Sequence, residues 1–125
     1  MKRKSMMLLV AGLIISSLVM AYPLAAFEWA QTTKQFGKIP KGKPVTAEFR
    51  YTNAGTTPLL IARATGSCGC TGVEYDKEPL LPGQSAVIKA TFNAAVVGPF
   101  AKSVTVESNG DSGLVVLRLE GEVTE

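Results

Sequence analysis

Both cysteines of the 125-residue chain fall in one short stretch, Gly66-Ser67-Cys68-Gly69-Cys70-Thr71-Gly72. Two thiols flanking one residue can close a disulfide, exchange with other thiols, or ligate a soft metal. Geometry narrows the choice first. In an extended strand, residues i and i+2 share a face and lie roughly 7 Å apart. A disulfide needs Cβ atoms about 3.5–4.5 Å apart. The pair therefore closes only where the chain bends, and Gly69 is the residue expected to permit the bend. The segment reads as a strand holding two parallel thiols or as a turn holding a local disulfide.

Four chemistries compete for this pair. In the first, Cys68 and Cys70 are structural, either as small buried hydrophobes or as a disulfide that shapes a turn. The second is thiol–disulfide exchange, with Ser67, Thr71 and the glycines leaving the site open. Against it, no basic residue adjoins the pair to lower a thiol pKa; Arg63 lies upstream and approaches only through the fold. The third is a soft-metal site, with Cu(I) the ion two thiolates suit. Zinc wants four ligands, so it would need Glu74 and Asp76 or a second copy of the chain. The fourth is nucleophilic catalysis. A cysteine nucleophile usually borrows a histidine, and the chain has none. Glu48, Glu74 and Asp76 offer themselves only on paper. The reading adopted is non-enzymatic, with no resident cofactor.

The compartment bears on this choice. Lys2-Arg3-Lys4 precedes an uncharged, mostly apolar run from Met6 to Ala21, with small residues at Ala21, Ala25 and Ala26. That is the layout of a secretory signal peptide, and residues 1–26 are read as one. The competing reading is an uncleaved anchor, since Ser5 to Phe27 carries no charge and is long enough to span a bilayer. Either way the remainder, 27–125, is expected outside the cytoplasm, periplasmic or extracellular, or tethered to the inner membrane. All four methionines, Met1, Met6, Met7 and Met20, lie in this leader.

The formal charge of +3 also lies in the leader. Without Lys2, Arg3 and Lys4, ten basic residues face ten acidic ones. Such a balance argues against nucleic acid, which needs a surplus of cations on one surface. The partner expected is a protein of the cell envelope. Membrane contact is expected only if the N-terminal segment is retained.

The rest of the chain reads as strands and turns. Val45 to Thr52 alternates, with Val45, Ala47, Phe49 and Tyr51 on one face, and period two marks a half-buried strand. Leu59–Ala64 reads as a strand apolar on both sides for its first part; Ala86–Phe92, Ser103–Glu107 and Val115–Val123 alternate, with a break at Val97-Gly98-Pro99. A short strand follows the cysteines through Val73, and Phe27–Gln35 is a short strand or an extended arm. Phe36 to Pro44 reads as broken by glycine and proline, with a turn at Pro40-Lys41-Gly42. Pro82-Gly83 and Asn109-Gly110 mark further turns, the second a hairpin. No stretch of the body has a helical period. About seven short strands in about 100 residues is the pattern of an immunoglobulin-like antiparallel β-sandwich, here behind an N-terminal apolar helix. The aromatic residues Trp29, Phe36, Phe49 and Tyr51 could form a ligand groove, but in a small sandwich they more often fill the core.

The order of these features is similar to that of a known family. Phe36-Gly37-Lys38-Ile39 precedes Phe49-Arg50-Tyr51-Thr52-Asn53-Ala54-Gly55 and Pro58-Leu59-Leu60-Ile61. Ser67-Cys68-Gly69-Cys70-Thr71, Leu81-Pro82-Gly83-Gln84 and Leu119-Glu120-Gly121-Glu122-Val123 follow. Together they resemble the bacterial secreted domain of unknown function 1573, with the Ser-Cys-Gly-Cys-Thr block as the specific element. The resemblance implies an Ig-like fold and export, and brings no biochemical activity with it. The chain departs at Gly72-Val73-Glu74-Tyr75, where members often carry a proline and an aromatic residue.

Overall fold

A computed structural model describes residues 24–125 of the chain. The leader helix expected over the N-terminal run lies outside the described residues, apart from Leu24–Ala26. Eight strands follow: β1 (Phe27–Trp29), β2 (Thr33–Pro40), β3 (Val45–Asn53), β4 (Ile61–Gly66), β5 (Thr71–Glu74), β6 (Ser85–Phe92), β7 (Gly98–Ser108) and β8 (Leu114–Thr124). They form two four-stranded sheets, β1-β3-β6-β5 and β2-β8-β7-β4. Among the described residues there is no helix.

Alternation along each strand builds the core. Ala47, Phe49 and Tyr51 of β3 and Ile88, Ala90 and Phe92 of β6 point inward from one sheet. Val104 and Val106 of β7 and Leu117, Leu119 and Val123 of β8 meet them from the other. Each of these side chains is buried, while the intervening Glu48, Arg50, Lys89 and Arg118 stay exposed. Phe49 and Tyr51 are thus core residues, and Trp29 and Phe36 are partly buried against that core.

Three expectations need correction. The sandwich is not wholly antiparallel, because β2 runs parallel to β8. The chain leaves β1 at the edge of one sheet, crosses between layers and continues at the edge of the other beside β8. Second, the stretch around Gly37 does not break the structure. β2 runs through it with a bulge between Gln35 and Lys38. Gly37 takes a φ of 70° there, which an L side chain rarely adopts. Third, the strand expected at Leu59 begins at Ile61, and Leu59 makes only an isolated bridge to Leu80.

Leu24–Ala26 dock on the sandwich. Ala25 is 1% exposed. The Leu24 carbonyl accepts from Thr56 N–H and the Ala26 carbonyl from Ala54 N–H. Ala26 N–H donates to Asn53 Oδ1 at 3.3 Å.

Candidate functional site

The cysteine segment is the crossover from β4 to β5, which are edge strands of opposite sheets. The chain must turn sharply to change layers, and Ser67 to Cys70 make the turn. Its base is fixed on both sides. Ser67 N–H donates to the Ser103 carbonyl at 2.8 Å, and Ser103 N–H donates to Ser67 Oγ at 3.1 Å. Asn93 N–H donates to the Cys70 carbonyl at 3.1 Å.

Within the turn, Cys68 and Cys70 are joined as a disulfide, with their Cα atoms 5.2 Å apart. Of the two conformations left open by the sequence, the turn is the one adopted. Gly69 does not act as expected, however. It stays outside the left-handed region, and a Cβ placed there would meet nothing within 4 Å. The crowded glycine is Gly66, whose Cβ would lie 2.8 Å from the Thr71 carbonyl.

The two sulfurs are not equivalent. Cys70 N–H donates to Cys68 Sγ at 3.3 Å. The buried Thr71 hydroxyl lies 3.8 Å from Cys68 Sγ and 3.9 Å from Cys70 Sγ. Neither sulfur of a disulfide carries a proton, so the hydroxyl is the donor. Cys70 instead packs against the core and lines a cleft of about 410 Å³. Phe92, Val96, Val97, Pro99 and Phe100 supply its apolar wall, with Lys102 the one charged residue on it. Phe92 and Phe100 stack across the two sheets at 4.3 Å. Val96 is 76% exposed. Ala94 holds the neighbouring loop with a left-handed φ of 53° while fully buried, a conformation that costs an alanine free energy.

The other candidate residues are not gathered here. Arg63 is held by Glu107 in an exposed ion pair, Nε to Oε2 at 3.0 Å. Asp76 Oδ1 accepts from Glu78 N–H at 2.9 Å. The Asp76 carboxylate also acts on Tyr51, whose phenol is pushed up to about 12, mainly by burial and secondly by that charge. Glu48 and Glu74 flank Lys89 across the outer face of the first sheet, each in register with it. Among the described residues no three His, Cys, Asp or Glu side chains converge as a metal would need. Lys102 and the cleft were beyond the sequence reading, because β6, β7 and the loop between them bring these residues to Cys70 from more than twenty positions away.

A sequence model described as a protein of unknown function (DUF1573) matches residues 27–123. The chain belongs to this family. No curated protein matches. Among solved structures, the chain is similar to a protein of unknown function from Porphyromonas gingivalis W83, with a TM-score of 0.70 and 17% identity over 83% of this chain and 49% of that one. It is similar to the VesB protease of Vibrio cholerae, with a TM-score of 0.65 and 19% identity over 77% of this chain and 31% of that one. It is also similar to a PapD-like domain of human CEP192, with a TM-score of 0.64 and 17% identity over 92% of this chain and 99% of that domain. The chain thus spans about half of the first protein and under a third of the second. At these identities the likeness is one of fold, a PapD-like, Ig-like sandwich.

Proposed function

We propose that this DUF1573 chain is an exported, non-enzymatic binding module of the cell envelope, with the Cys68-Gly69-Cys70 turn and its neighbouring cleft as the contact site. The observation that carries this reading is the cleft. It is concave, mostly apolar and marked by a single cation, which is the character of a recognition surface. Its apolar rim, Val96 and Val97, is exposed at 76% and 43%. The partner is a polypeptide. With ten cations and ten anions beyond the leader, nucleic acid is not the expected ligand. Export is supported by the basic and apolar N-terminal run and by a disulfide, which persists in oxidising compartments. Membrane contact would come through the N-terminal segment if that is retained.

The test is a photo-crosslinking residue placed at Val97 in the exported protein, with Glu48 on the outer face as the control position. A discrete adduct from Val97 that disappears when Val96→Lys is added is the expected result. Its survival in Cys68→Ser/Cys70→Ser would assign the contact to the cleft alone. Labelling no stronger than at Glu48 would remove the reading.

A second reading, thiol–disulfide exchange, is favoured by the placement of the disulfide in a half-exposed turn at a cleft that Lys102 also lines. In its reduced form the pair would offer two thiolates with no third ligand gathered among the described residues, a set that suits Cu(I) better than zinc. Competition of the reduced protein against a moderate Cu(I) chelator tests that branch, and failure to retain the ion ends it.

A further inference from the structure

We infer that Cys70 is the sulfur attacked by an incoming thiolate, that Cys68 is the leaving sulfur, and that the thiol belongs to an apolar polypeptide segment lying in the cleft. This rests on the second reading above, that the pair exchanges with thiols, and gives that exchange a direction and a substrate class.

Access decides which sulfur is attacked. Cys70 forms part of the cleft wall and Cys68 does not. An apolar segment placed against Phe92, Val97 and Phe100 brings its own cysteine to Cys70 first. Lys102 lines the same cleft, and an ammonium there attracts the thiolate form of a group entering it. The leaving sulfur is decided by hydrogen bonding. A thiolate leaves faster when donors stabilise it. Cys68 Sγ already accepts Cys70 N–H at 3.3 Å. The Thr71 hydroxyl stands almost equally far from both sulfurs, at 3.8 and 3.9 Å. The backbone donor therefore breaks the tie in favour of Cys68.

The step balances without an outside redox agent. The partner's thiolate forms a bond to Cys70 Sγ as the Cys68–Cys70 bond breaks. The electron pair of that bond departs on Cys68 Sγ, which takes a proton from water according to pH. One disulfide is exchanged for another. Where the partner carries a second thiol, that thiolate attacks the partner sulfur of the mixed disulfide and expels Cys70. The partner then leaves with its own disulfide, oxidised by two electrons, and the Cys68/Cys70 pair is reduced by two.

The test uses the oxidised protein and a synthetic apolar peptide with one cysteine. After acid quenching and alkylation, tandem mass spectrometry of tryptic fragment 64–77 locates the peptide and the alkyl group. Peptide on Cys70 with alkyl on Cys68, in severalfold excess over the reverse at early times, is the expected result. Lys102→Gln should slow the reaction about threefold at low salt and much less at high salt, as a screened attraction would. In Cys70→Ser, the remaining Cys68 thiol should alkylate at lower pH than the remaining Cys70 thiol does in Cys68→Ser. An even distribution, or peptide mainly on Cys68, overturns the assigned direction while leaving exchange itself intact. No reaction with the peptide or with millimolar dithiothreitol overturns exchange, and this inference with it.

Discussion

At the scale of single residues, Asn53 carries more than its place at a strand end suggests. It is 1% exposed, and its amide is fully engaged. Nδ2 donates to the Thr57 carbonyl at 2.8 Å and the Leu80 carbonyl at 2.9 Å. Oδ1 accepts from Gly55 N–H at 2.9 Å and Ala26 N–H at 3.3 Å. Three chain segments, at Ala26, at residues 53–57 and at Leu80, are tied through one side chain. Asn53→Ala leaves buried donors and acceptors unpaired and should cost about 2–4 kcal/mol in urea unfolding. Asn53→Asp should cost at least as much at neutral pH, since a carboxylate has no donor for the two carbonyls. In the cysteine turn, Gly69→Ala should shift stability by no more than about 0.5 kcal/mol, while Gly66→Ala should lower the unfolding midpoint clearly, because its Cβ would press on Thr71. Tyr51 supplies a pH dependence. Its folded pKa of about 12 lies above the ordinary 10.0. Between these values the unfolded chain loses a proton that the folded chain keeps, so stability falls as pH rises through the window. Tyr51→Phe should flatten that alkaline decline in a pH series of thermal melts. The sequence made Tyr51 legible as an inward residue of a half-buried strand. It did not make Asn53 legible, because two of its partners, Ala26 and Leu80, lie 27 positions away on either side and only the fold brings them in.

Among the elements, β3, β6 and β8 were readable, and β7 only from Ser103 on, since Gly98-Pro99 reads as a break but opens the strand. Each is half-buried and alternates, so residue type reports the face directly. β2 was hidden because Gly37 and Pro40 read as breaks. In the fold Gly37 forms the bulge, and Gly121 of β8 lies opposite it. A Cβ on Gly121 would come within 2.7 Å of the Gly37 carbonyl and 2.9 Å of the Phe100 ring. The glycines admit the bulge and the ring together. Without partner strands on the page, a bulge glycine and a turn glycine look alike. The short Leu24–Ala26 segment has its own consequence. Ala25 accepts from Asp111 N–H through its carbonyl, and the residues beside it make the bonds to Thr56, Ala54 and Asn53. A chain beginning at Phe27 should be less stable than one beginning at Leu24 by about 2–3 kcal/mol, at roughly 1 kcal/mol for each bond lost after offsets. Equal melting temperatures for the two would show that the segment contributes nothing.

For the whole molecule, the sandwich is stabilised by its inter-sheet core. The disulfide closes a loop of two positions' separation, and constraining so small a loop in the unfolded chain is worth at most about 2 kcal/mol. Cys68→Ser/Cys70→Ser should therefore unfold cooperatively with a loss no greater than that. A collapse of the fold would make the pair a staple. The same comparison explains how far the site was legible. Two cysteines flanking one residue stood out at once, and with them the question of a turn. The cleft did not, because Phe92, Val97, Phe100 and Lys102 are unremarkable in sequence and converge on Cys70 only when β6 and β7 pack in opposite sheets.

The position of β8 also sets an order in time. It follows all other strands in the chain, yet it lies inside its sheet, between β2 and β7. A nascent chain that stops short of Leu114 holds β2 with no neighbour in its sheet and β7 with only β4. Such a chain has all four strands of the first sheet, but the sheet that must face it lacks the strand joining β2 to β7. Closure of the core thus waits on Leu114–Thr124, and residues 24–113 alone should show no cooperative thermal melt where residues 24–125 do.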